Sequence, residues 1–134
     1  MVKTSLVESD IESGRRLVKA LSDLDTHFRV LAAFWIYLPE TMEWRLIIAT
    51  PLIDQKGPFS SYTHVQRVLR SLNPPPSITL QDISVVSPRD KLAKVIKRAI
   101  RVPRGSLGVR VGSTRIDDTF VEDAYVYPVI PRAA

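Results

Sequence analysis

A chain of 134 residues with 45% hydrophobic and 25% charged side chains is long enough for one domain, residues 1–134, whose core buries roughly two-thirds of the unfolded surface. The absence of cysteine excludes a disulfide-stapled scaffold, a Cys-ligated zinc or iron–sulfur module and a cysteine nucleophile. The longest apolar runs, 30–38 and 46–49, fall far short of the ~20 residues a membrane span needs, so no membrane partner is expected, and the formal net charge of +5 favours anionic ones.

The opening residues predict a helix. Ser5 and Glu8 have the capping-box spacing, and Val7, Ile11, Gly14, Val18 and Leu21 recur at helical intervals, with Leu17 and Leu24 widening the stripe. The same stretch, MVKTSLVESDIESGRR, reaches acidic residues and a glycine before any long apolar run. No secretory segment is therefore expected, and the expected compartment is cytoplasmic. The polar cluster at residues 23–26 ends the helical pattern. Residues 28–38 (FRVLAAFWIYL) are apolar on both alternating faces, which predicts a central strand covered on each side. Residues 43–50 (EWRLIIAT) follow a turn-sized gap and read as its antiparallel partner.

Pro51, Gly57 and Pro58 predict a loop. Beyond it, Phe59, Tyr62, Val65, Leu69 and Leu72 have helical spacing, with His64, Arg67 and Arg70 off that stripe. Three consecutive prolines, Pro74 to Pro76, then end the second helix. Residues 78–86 (ITLQDISVV) read as a third strand, with Ser87 as the N-cap of a third helix and Pro88 at its first position. That helix, residues 89–101, has one apolar face (Leu92, Val95, Ile96, Ala99, Ile100) and one cationic face (Lys91, Lys94, Lys97, Arg98, Arg101). Residues 107–116 and 120–129 read as a closing hairpin around Asp117 and Asp118. The order α-β-β-α-β-α-β-β predicts an α+β fold: a single mixed or mostly antiparallel sheet with about three packed helices.

Charge is distributed unevenly along this order. Residues 1–57 carry a net charge of −1, residues 58–116 carry +9 and residues 117–134 carry −3. The middle segment points to nucleic acid or another polyanion as partner. The competing reading is a solvated helix face neutralised by Asp117, Asp118, Glu122 and Asp123. Arg101, Arg104 and Arg110 flank Gly105 and Gly108, a combination able to form a small phosphate nest or simply a turn with positive-φ glycines. The candidate anion-binding residues are thus Lys91, Lys94, Lys97, Arg98, Arg101, Arg104 and Arg110. Without a base-reading motif, and with no Asn or Gln on the helix, they would engage phosphates rather than base edges. The opposite-sign segments also admit pairing between copies, as in a homodimer or a protein–protein adaptor.

Catalytic chemistry finds little footing. His27, beside Asp25 and Thr26, and His64 are the two histidines, too few for a histidine metal site. Neither a GxSxG elbow nor an SxxK motif occurs, and both nucleotide-binding glycine loops, GxxxxGK[ST] and GxGxxG, are absent. Asp54-Gln55-Lys56 is the one [DE]xK triplet. A metal-dependent nuclease or hydrolase using it with Glu43 is an alternative, although a chain of this composition yields about 0.6 such triplets by chance. The sequence assigns no catalytic residues, metal ligands or cofactor, and favours a non-enzymatic protein. Trp35, Tyr37, Trp44, Tyr125 and Tyr127 offer a base-stacking face or, more simply, core packing.

Two stretches carry a resemblance. AFWIYLPE at residues 33–40 leading to EWRLIIATPL at 43–52, and VEDAYVY at 121–127, resemble a group of small uncharacterised bacterial proteins that pair a tryptophan-bearing hairpin with a terminal E-D-A-Y-x-Y strand. The similarity spans most of residues 11–129. It implies a cytoplasmic bacterial domain and assigns no activity or functional residue.

Overall fold

The computed structural model describes residues 3–24 and 27–129. Asp25 and Thr26, which precede His27, lie outside the described residues. The elements run α1 (Glu8–Leu24), β1 (Ala32–Leu38), β2 (Glu43–Ala49), α2 (Leu52–Ser71), β3 (Ile83–Val86), α3 (Lys91–Ala99), β4 (Val109–Ile116) and β5 (Thr119–Val126), with a 3-10 turn at Leu80–Asp82. The fold is α+β in the expected order. Its one five-stranded mixed sheet is ordered β3-β2-β1-β5-β4. Pairing is antiparallel except at β2 and β3, which lie parallel and are joined through α2.

Both faces of the sheet are covered, as the two-sided apolarity of β1 requires. One face carries Ala33, Trp35, Leu46, Ile48, Ile83 and Val85 beneath α1 and α2. The other carries Phe34, Ile36, Ile47, Val121, Ala124 and Val126 against Ala93 and Ile96 of α3. Trp35 and Phe34 are fully buried on opposite sides of one strand. Burying each such ring stabilises the fold by roughly 2–3 kcal/mol, so β1 contributes to two cores at once. Alternation of burial breaks in the last hairpin, where Val121 and Ala124 are both buried and the pairing skips one position between Gly112↔Asp123 and Thr114↔Val121. Ser113, at the skipped position, has a φ of 41°, and Val121 and Ala124 join the same core.

Several local expectations are corrected. The Ser5–Glu8 capping box is replaced, two residues on, by a single bond in which Asp10 Oδ2 accepts the Val7 N–H at 3.3 Å, and Asp10 is buried. The segment after Pro51 is a helical turn instead of a loop, and α2 kinks at Gly57, whose φ of 85° suits glycine, before Pro58 restarts the helix. Phe59 is 87% exposed and so does not belong to the core stripe, which passes through Ser61, Val65, Val68 and Leu69. The third strand is shorter than expected because Thr79 and Asp82 cap each other across the 3-10 turn. The cap of α3 is Asp90, whose carboxylate accepts the Ala93 N–H at 3.0 Å. Ser87 instead supplies the turn leading in, its carbonyl accepting the Asp90 N–H.

Candidate anion-binding site

The apolar stripe of α3 anchors it on the sheet, so its lysines and Arg98 face solvent. Lys91 and Arg98 are seven residues apart and share a flank of the helix. The turn between β4 and β5 lies along that flank: Lys91 Nζ meets Asp118 Oδ2 at 2.9 Å, and Arg98 pairs with Asp117. The Lys91 ammonium holds the Asp118 carboxyl below its usual range, first by hydrogen bonding and then by charge. Asp117 adopts a φ of 55°, a left-handed conformation that aspartate tolerates in such turns.

Arg110 goes elsewhere. Its guanidinium binds Asp123 through two parallel bonds of 2.7 and 2.8 Å and lies 5.4 Å from the centroid of the Trp44 ring. That ring belongs to the core under α1 and α2, across the sheet from α3. The hydrogen bond to Asp123 raises the Arg110 pKa, and the same bond lowers that of Asp123. A bidentate pair stacked on an indole is a structural clamp, and the structure does not bring Arg110 to the ridge.

Lys94, Lys97, Arg101 and Arg104 remain. All four are exposed, and none forms an ion pair among the described residues. Lys94 and Lys97 sit about 60° and 120° around α3 from Lys91. Arg101 and Arg104 follow where the helix gives way to extended chain at Ile100. Lys97 and Arg104 line a cleft together with Arg29, a cation that sequence reasoning missed. Nothing in the sequence marks Arg29, which comes within reach only because β1 begins beside the end of α3.

The two glycines of the loop have local employment. Gly105, with a φ of 85°, forms a turn in which the Ser106 N–H donates to the Pro103 carbonyl at 3.1 Å. Gly108 lets the Tyr125 ring approach, since a Cβ there would stand 2.4 Å from it. The acidic residues Asp117, Asp118 and Asp123 find their cations within the chain.

The catalytic alternatives are dispersed. Asp54 and Lys56 stand on the first turns of α2, where Asp54 accepts from Ser87 Oγ at 2.8 Å and pairs with Arg89 at 3.2 Å. Glu43 opens β2 at its far end, about 20 Å away along an extended strand. His64 lies against the Phe28 ring, with 6.3 Å between centroids. Among the described residues no three His, Asp or Glu side chains cluster so as to hold a metal ion. The aromatic face is core: Tyr37 packs on Trp44 and Tyr125 on Tyr127, and Trp35, Trp44 and Tyr127 are buried. No helix among the described residues is long and apolar enough to cross a membrane.

Comparison with known proteins adds no relative: no family model, no curated protein and no solved structure matches the chain.

Proposed function

We propose that this protein binds a polyanion, duplex nucleic acid foremost, through Lys94 and Lys97 of α3 with Arg101 and Arg104 beyond it. The observation that carries the reading is that these four exposed cations, within eleven residues of chain, lack carboxylate partners among the described residues, while neighbouring Lys91 and Arg98 have them. Unpaired cations so close together create a local positive potential that a phosphate backbone relieves by releasing its counterions. The contacts are to phosphates, because α3 carries no Asn or Gln to read adenine edges. Binding is therefore weakly sequence-dependent and steeply salt-dependent.

Each phosphate contact to duplex DNA contributes about −0.9 to the slope of log affinity against log salt. Anisotropy titration of a labelled duplex at two or more salt concentrations tests the reading. Reversing Lys94, Lys97 and Arg101 to Glu is expected to flatten the slope by about 2.7 or abolish binding. Absence of binding by the unaltered protein at low salt, or an unchanged slope in the triple variant, overturns the proposal.

A further inference from the structure

Beneath the end of α3, a cleft of about 850 Å³ opens between Ile96 and Ile100, the loop that follows the helix, the chain entering β1 and the chain leaving β5. Its apolar lining comes from Val30, Ile96, Ile100, Val102 and Val126. Arg29, Lys97 and Arg104 stand around this surface. None of the three has an ion pair among the described residues, and each is exposed. Ser106 also lines the cleft, and its Oγ is buried with no hydrogen-bond partner. An aliphatic wall, cations of one sign and an unsatisfied hydroxyl in a volume of this size have the make-up of a small-molecule site.

From this juxtaposition we propose that the cleft binds a small anionic amphiphile, an aliphatic carboxylate, with its chain on the apolar lining and its head group on Lys97, Arg104 and Arg29. The lining is aliphatic where a nucleobase would want aromatic stacking partners, so the site does not follow from polyanion binding, although Lys97 and Arg104 would serve both. Helix α3 presents its C-terminal end here, where the backbone dipole disfavours an anion. The preference for negative charge therefore resides in the side chains. The Ser106 N–H is already committed to the Pro103 carbonyl, whereas its buried hydroxyl has no partner and keeps a hydrogen bond to give.

The test titrates the full chain with decanoate, decanol and decyltrimethylammonium, following amide shifts by NMR and affinity by calorimetry. Decanoate is expected to bind at least tenfold more tightly than the other two, with shifts centred on Ile96, Ile100, Val102 and Ser106. Reversing the exposed Lys97 and Arg104 together to Glu should abolish that preference without disturbing the fold. Ile100→Trp, which fills the cleft, should weaken decanoate at least tenfold while leaving duplex affinity unchanged. Equal binding of the three amphiphiles, shifts elsewhere on the surface, or a charge-reversed variant that keeps the preference for decanoate overturns the proposal. Failure of the duplex titration alone overturns the polyanion reading and leaves this one standing.

Discussion

Tyr127 joins three elements through one oxygen. Its hydroxyl donates to the Ile11 carbonyl of α1 at 2.6 Å and accepts from Trp35 Nε1 of β1 at 2.9 Å, just past the end of β5. Tyr127→Phe leaves the Ile11 carbonyl its place in the helical ladder but orphans the buried indole N–H. An unpaired buried donor costs about 1–3 kcal/mol and the lost bond to Ile11 about 1 more, so the variant should be destabilised by roughly 2–4 kcal/mol. For a chain of this size that corresponds to a drop in Tm of roughly 10 °C. Burial also pushes the Tyr127 phenol well above its ordinary value of 10.0, against the smaller opposing effect of the Trp35 bond. Because the folded value is the raised one, the neutral phenol's contribution is complete below pH 10. Above pH 10 the unfolded chain releases a proton that the folded chain retains, and stability falls by about 1.4 kcal/mol per pH unit. Urea unfolding of both proteins from pH 7 to 11.5 measures this directly. The gap between them should hold constant up to pH 10 and narrow beyond it. A gap under about 0.5 kcal/mol at neutral pH, or one that does not narrow, refutes the reasoning.

Gly14→Ala should destabilise the fold despite alanine's better helix propensity, because the new Cβ would stand 2.2 Å from the Tyr127 hydroxyl and 2.9 Å from Trp35 Nε1; a higher Tm would contradict the packing described. Asp117→Asn with Asp118→Asn should release Lys91 and Arg98 and steepen the salt slope of duplex binding by about 1.8; an unchanged slope in the anisotropy titration would show that these two cations lie outside the interface. Arg110→Ala should cost about 1 kcal/mol through lost stacking on Trp44 and the lost pair with Asp123, and should alter tryptophan fluorescence without changing duplex affinity. Asp90→Ala removes the cap of α3 and should destabilise the protein by about 1 kcal/mol, read by chemical denaturation.

What neighbours in sequence decide was legible in the sequence. Helix α3 declares itself because a 3.6-residue apolar period and its cationic complement are local properties of nine residues. The central position of β1 follows from two equally apolar faces, and the Asp117–Asp118 turn from its place between two short strands. Capping was legible only in part. Ser87 and Asp90 are both competent caps, and the choice fell to Asp90 because the Ser87 carbonyl closes the preceding turn onto its N–H. The segment after Pro51 was misread as a loop because Gly57 punctuates a helix that resumes at once on Pro58.

Tertiary structure alone decided where the charges go. Placing β5 beside β1 joins residues some ninety positions apart, and no local pattern encodes that pairing. It carries Arg110 across the sheet to Trp44 and lays Asp117 and Asp118 along one flank of α3, dividing a uniform cationic ridge into a neutralised half and a free half. The same pairing brings Arg29 into a cleft with Lys97 and Arg104. Composition fixed how many cations the chain carries, but attraction falls with distance and is screened within about 10 Å. Which of them remain available to a ligand was therefore set by the strand order.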